Sequence, residues 1–238
     1  MKRLHKYKIA DLTVDVRHNS SVLLRNGMKY ADDSSDKADI TIEVSEDRIL
    51  KALEYNKSFD RDYAEYFVSG MDFYRKLIPH YGFMLHSSCV AVDGKGYLFT
   101  ADSGVGKSTH TSLWREYLGD RAVMINDDKP AIRYIDNKFM VYGTPWSGKS
   151  DESSNESAVV SALVFLERGS CFEIEAIPCD RAVERIIPQM LRYIRPENAA
   201  IQFDLLDRFL KTVPSYVMKC TQDIESAKSA WEFLSKNF

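Results

Sequence analysis

The chain predicts an α/β fold of the α+β kind: a mixed, largely antiparallel sheet with helices packed on it. Three observations lead there. Apolar, β-rich runs outnumber the amphipathic stretches that could serve as crossover helices. Two pairs of such runs are separated by tight-turn signals, "DGKG" at 93–96 and the "DN" inside "AIRYIDNKFMVYG". Tight turns make antiparallel neighbours, whereas parallel neighbours need long crossovers. The 238 residues, 45% of them hydrophobic, suffice for one large domain or two small ones with a sizeable core.

Along the chain, "YKIADLTVDV" and "ADITIEV" alternate apolar and polar residues and read as short strands, with "DDSSDK" a polar loop between them. In "SFDRDYAEYFVSGMDFYRKLIPHYG", Tyr63, Tyr66, Phe67, Gly70, Tyr74 and Leu77 recur at helical spacing. Ser58 is the expected N-cap and Pro79 marks the end. This aromatic stripe is the usual pattern of a helix packed on a sheet. "GFMLHSSCVAV", "YLFTA", "RAVMINDD", the "AIRYIDNKFMVYG" pair, "AVVSALVFLER", "CFEIEAI" and "PSYVMKC" read as strands. "STHTSLWREYLG", "DRAVERIIPQML", "NAAIQFDLLDRFLKTV" and "DIESAKSAWEFLSKNF" read as helices. "SGKSDESSNES", 147–157, is polar and is expected to be a mobile loop.

Charge excludes some functions. With 32 Lys+Arg against 35 Asp+Glu, a formal charge of −3 gives no general attraction for nucleic acid or an anionic membrane. The basic start "MKRLHKYKIAD" reaches Asp11 before any apolar run, so no signal peptide is expected. No window approaches the length of a membrane span. Cys89, Cys171, Cys179 and Cys220 are scattered, without zinc-ligand spacing. They read as buried thiols in a reducing cytoplasm, the expected location.

The chemistry centres on "ADSGVGKST", Ala101 to Thr109. It matches a phosphate-binding loop, G-x-x-x-x-G-K-[ST], except that alanine stands first. Gly104 and Gly106 can take positive φ, so the backbone can come close to a ligand. Successive N–H groups opening into a helix form an anion nest. Asp102, Ser103, Gly104, Val105, Gly106, Lys107, Ser108 and Thr109 are therefore the expected nucleotide-binding residues. Lys107 would reach the phosphates and the Ser108 hydroxyl would hold Mg²⁺. Position 101 sits at a strand end, where a small residue is the main requirement.

Asp127 and Asp128 end an apolar strand twenty residues after Lys107. One carboxylate can hold Mg²⁺ and the other can take a proton from an attacking hydroxyl. Adjacent strand residues point to opposite faces, so the two need not share one job. "NDDKP" is also good turn chemistry. His86 sits on the strand feeding the hairpin into the loop. It is either an ordinary structural histidine or an imidazole brought back beside the phosphates.

"HSSCVAVDGKGYLFTADSGVGKST" followed by "INDDKPAI" resembles the catalytic domain of HPr kinase/phosphorylase, over about residues 83 to 135. The ATP-dependent phosphoenolpyruvate carboxykinases share that nucleotide-binding architecture. The resemblance implies a mixed-sheet, P-loop kinase using ATP and Mg²⁺, with His86, Lys107, Ser108, Asp127 and Asp128 at the motif positions. It implies a kinase-like domain over 83–238; the family has a separate N-terminal domain, whereas residues 1–82 here read as a strand and helix extension integral to the domain. It also implies a homo-oligomer. Thr109 and His110 stand where the family has a glutamate after the loop serine. "YGTPWSGK" stands in place of the family's arginine- and glycine-rich signature. Arg181, Arg185 and Arg195 are candidates for the catalytic arginine. Lys149 is a candidate for the substrate side, and Trp146 is either a platform or a packed anchor.

The function these residues imply is transfer of the ATP γ-phosphate to an alcohol hydroxyl, serine or serine-like, of a protein, peptide or small molecule. Asp127 would be the base, with Asp128 and Ser108 on Mg²⁺; the aspartate roles are interchangeable at this level. The alternatives are a non-catalytic nucleotide-binding regulator and a carboxykinase-type lyase.

Overall fold

The computed structural model describes residues 2–148, 150–190 and 196–236. The chain opens with β1 (Arg3–Ile9) and β2 (Leu12–His18), antiparallel. The stretch read as one alternating run is thus two strands. Ala10 and Asp11, at φ 53° and 60°, make the turn. Two positive φ values match the twist of a hairpin. Helix α1 (Ser21–Gly27) leads to β3 (Ile40–Glu43), which pairs parallel with β2. Ser20 caps α1 by accepting from the Leu23 N–H.

Helix α2 (Glu46–Tyr55) precedes α3 (Arg61–Leu77), whose aromatic stripe packs on this small sheet. The N-cap of α3 is Asp60, not Ser58: its carboxylate accepts from the Tyr63 N–H at 2.8 Å, while Ser58 bonds to Asn56. Neither α1 nor α2 was expected from the sequence.

A second, nine-stranded sheet follows. Its path runs β4 (Gly82–Met84), β8 (Ala131–Ile135), β9 (Lys138–Tyr142), β10 (Ser157–Arg168), β6 (Lys95–Thr100), β5 (Ser88–Val92), β7 (Ala122–Asn126). Strand β12 (Ser215–Cys220) lies along the second half of β10, and β11 (Glu173–Ala176) along β12. Only the pairings of β10 with β6 and with β12 are parallel, so the sheet is mixed and largely antiparallel. Both turns read from the sequence close hairpins: Asp93 and Gly94, then Asp136 and Asn137, all have positive φ.

Strand β10 reads as a continuous apolar run because both its faces are covered. Leu163 and Phe165 face the cluster holding α5 (Cys179–Ile186) and α6 (Pro196–Thr212). Val164 and Leu166 face the cluster holding α4 (Lys107–Leu118) and α7 (Ile224–Ser235). The alternation is the period of two that a strand imposes.

Three further expectations change. "GFMLHSSCVAV" is broken between β4 and β5, and His86 lies in the break rather than on a strand. Cys171 and Cys179 are exposed, since they sit in the β10–β11 turn and at the start of α5; Cys89 is buried, Cys220 half-buried, and all four are free. The polar segment expected to be a mobile loop, 147–157, is fixed to the sheet at two of its described residues. Ser153 bridges to Asn126, and Ser154 N–H donates to Ile125 O at 3.1 Å. Among the described residues no helix is long and apolar enough to cross a membrane.

Candidate active site

The glycines shape the 101–109 loop. Gly104 and Gly106 sit at φ 83° and 125°, where a side chain would be strained. Ala101 is not among the residues with positive φ, so a Cβ is tolerated there. Its carbonyl has a use: Lys107 Nζ donates to Ala101 O at 2.9 Å. Lys107 is buried, with 9% of its surface exposed. Burial pulls its pKa below the ordinary lysine value, and the nearby charges of Asp128, Asp127 and Asp102 pull it back up. Helix α4 starts at Lys107, so its first N–H groups have no partner inside the helix. Ser108 and Thr109 are exposed at that end.

The two aspartates lie just past β7, not on opposite faces of a strand. Asn126 causes this. Its Oδ1 accepts from Asp128 N–H at 2.9 Å and Lys129 N–H at 2.7 Å, curling the chain into a side-chain-capped turn. Both carboxylates then line one cleft of about 630 Å³, with His86, Ser103, Gly104, Gly106, Lys107, Ser108 and Thr109. Asp102 stands beside the cleft, and Val105 makes the turn behind it. The loop, the aspartate pair and His86 are thus brought together from three separate connections.

The environments of the carboxylates differ. Asp127 is buried and accepts from Ser88 Oγ at 2.7 Å. Asp128 is met by two nitrogen donors: the Lys129 ammonium is in contact, and His86 Nε2 stands 3.2 Å away. Burial alone would raise the Asp128 pKa, but the His86 hydrogen bond and the Lys129 charge outweigh it, holding it at about 2. His86 is steadied by Gln189, whose Oε1 lies 3.0 Å from Nδ1 and whose Nε2 donates to Asp102 at 3.1 Å.

The opposite wall comes from α3 and the segment after β9. Tyr63, Ser147, Gly148 and Ser150 line the cleft there. Gly148 is required: a Cβ would fall 2.6 Å from Asp128 Oδ2, and φ is 73°. Trp146 is the packed anchor rather than a platform. It is 2% exposed, stacks on Phe73 at 4.9 Å, donates to Ser69 Oγ at 3.1 Å and presses on Gly70. The N-terminal layer stitches this wall. Asp151 takes Arg25 at 2.8 Å and Asn26 at 2.9 Å, Tyr30 donates to Ser154 O at 2.8 Å, and Lys29 to Ser153 O.

Two of the arginine candidates are engaged elsewhere: Arg181 pairs with Glu175 at 3.8 Å and Arg185 with Glu167 at 2.8 Å. Arg195 and Lys149 lie outside the described residues. Sequence reading missed Ser88, Lys129, Gln189, Gln222 and Tyr63. Ser88 and Lys129 stand inside the motifs already quoted; the others carry no local signal.

No protein-family model matches the chain, and no curated protein does. Among solved structures, the chain is similar to the HPr(Ser) kinase/phosphatase from Coxiella burnetii, at 12% identity over 65% of this chain and 88% of that one, with a TM-score of 0.37. At that level the likeness carries no weight for the site, whose reading rests on its own residues.

Proposed function

We propose that the cleft transfers the γ-phosphate of ATP to an alcohol hydroxyl, serine or serine-like. One observation carries this reading: a glycine-shaped loop with a buried lysine forms one wall of a cleft whose far side holds two differently partnered carboxylates. The donor set fits a magnesium nucleotide. Ser108 and Asp128 would hold Mg²⁺, with phosphate oxygens and waters completing a hard-oxygen shell. Magnesium, when bound, neutralises charge on the phosphates.

Lys107 and the N–H groups of Gly106 to Ser108 receive the phosphate charge. The acceptor oxygen forms a bond to the γ-phosphorus, the bond to the β–γ bridging oxygen breaks, and ADP leaves with that electron pair. The acceptor proton goes to Asp127. Environment supports this division. A carboxylate already held at about 2 by the His86 hydrogen bond and the Lys129 charge accepts protons poorly and suits a metal, whereas Asp127 faces the neutral hydroxyl of Ser88. The carboxykinase-type alternative needs a transition-metal donor set. Among the described residues no three His, Cys, Asp or Glu side chains gather for one.

The test is incubation with γ-labelled ATP, Mg²⁺ and fractionated cell extract, with Lys107→Ala as control. Label is expected in an acid-stable, phosphatase-sensitive product. No label above the Lys107→Ala background would sink the proposal.

A further inference from the structure

Arg168 closes β10, where parallel pairing with Cys220 fixes its backbone. Its guanidinium reaches the loop from behind. Nη2 donates to Gly104 O at 2.6 Å, and Nε donates to Val105 O at 3.4 Å. A trans peptide unit points its C=O and N–H in opposite directions. Turning those two carbonyls toward Arg168 therefore turns the N–H groups of Val105 and Gly106 away from it. The Val105 N–H closes a turn on Asp102 O at 3.3 Å. The Gly106 N–H is left in series with those of Lys107 and Ser108 at the start of α4.

This orientation decides what the loop can hold. Inward N–H groups attract an anion, whereas inward carbonyls would repel it. Glycines at φ 83° and 125° do not fix the choice by themselves, because glycine tolerates many conformations. We infer that Arg168 is the positioning residue of the phosphate loop: its planar fork holds two carbonyls off the cleft and so leaves the Gly106 N–H to face it beside those of Lys107 and Ser108. This rests on the phosphoryl-transfer reading. Arg168 does not line the cleft and is not a catalytic residue. The task suits arginine over lysine, since two donors in a fixed plane match two successive carbonyls and a single ammonium does not.

The experiment uses the full chain with Arg168→Lys and Arg168→Met. Titration calorimetry measures binding of Mg·ATP and of inorganic tripolyphosphate. Hydrogen exchange of the free protein follows residues 102–108. Loss of two hydrogen bonds should weaken both ligands about tenfold in both variants. Exchange across the loop should quicken, and the melting point should hold because the side chain is at the surface. Wild-type affinity in the lysine variant alone would show that charge, not the fork, matters, and would overturn the inference. So would unchanged exchange in the methionine variant. A wild-type protein that binds neither ligand would defeat the phosphate reading itself, leaving the exchange comparison to judge the fork.

Discussion

The two walls of the cleft are held in opposite ways. The loop wall is lightly fixed: Asp102, Ser103, Gly104, Ser108 and Thr109 are exposed, with single side chains, Arg168 and Gln189, reaching it from behind and beside. The facing wall is buried from 143 to 147 and bonded to the helix residues Asn26 and Tyr66, far away in sequence. Light fixing lets backbone amides adapt to a charged group. Rigid fixing keeps reacting atoms in line, where small displacements are costly in rate. On the proposed reading, the difference suits the loop to binding and the wall that holds Asp128 against Gly148 to geometry.

The sharpest way to separate these tasks is Asp127→Asn. Phosphoryl transfer should fall ~10²–10⁴-fold, the usual worth of a general base, with nucleotide affinity nearly unchanged. Near-normal turnover would move the base to Asp128. Next in size is the rigid wall itself. Trp146→Ala should cost about 3–5 kcal/mol in urea unfolding, because a buried indole against Gly70 leaves a cavity. A loss under about 1 kcal/mol would mean that the wall is not anchored there.

The last effect is graded and concerns acid. Each half of the molecule buries a histidine. His18, bonded to Tyr7, and His110, which accepts from Trp114, are both pushed down to about 4, mainly by burial. The unfolded rings take protons near 6.5 while the native rings stay neutral down to about 4. Stability is thus whole above about 6.5 and is lost as pH falls toward 4, by up to ~1.4 kcal/mol per unit per ring. Urea unfolding at several pH values in that window should show this slope. His110→Gln should lower it by one proton; an unaltered slope would show that His110 does not stay neutral in the fold.

Much of this was readable in the residues, within limits that have physical causes. Strong local signals survived: "DGKG" and "DN" are turn chemistry that tertiary structure has no reason to override, and the Gly104–Ser108 pattern carries its own backbone requirement. Position 101 was ambiguous because a motif records residue types, not φ values; the backbone there does not need glycine. The opposite-face argument for Asp127 and Asp128 failed because Asn126 ends the strand and curls the chain. Helix α1 was missed because seven residues hold too few turns to show a period. Gln189, Tyr63 and Arg168 act through contacts 63 to 103 residues away or across the cleft, and no window of sequence contains such a contact.

The stitching of the rigid wall also sets an order in time. Arg25, Asn26, Lys29 and Tyr30 meet partners 119 to 126 positions later in the chain. During synthesis the β1–β2 hairpin is complete long before those partners exist. At about 5–20 residues per second it waits several seconds or more for them. Closing so long a span is entropically costly and slows folding. This wall of the cleft therefore cannot be finished before residues 145–154 have been made, although the residues that stitch it come within the first thirty.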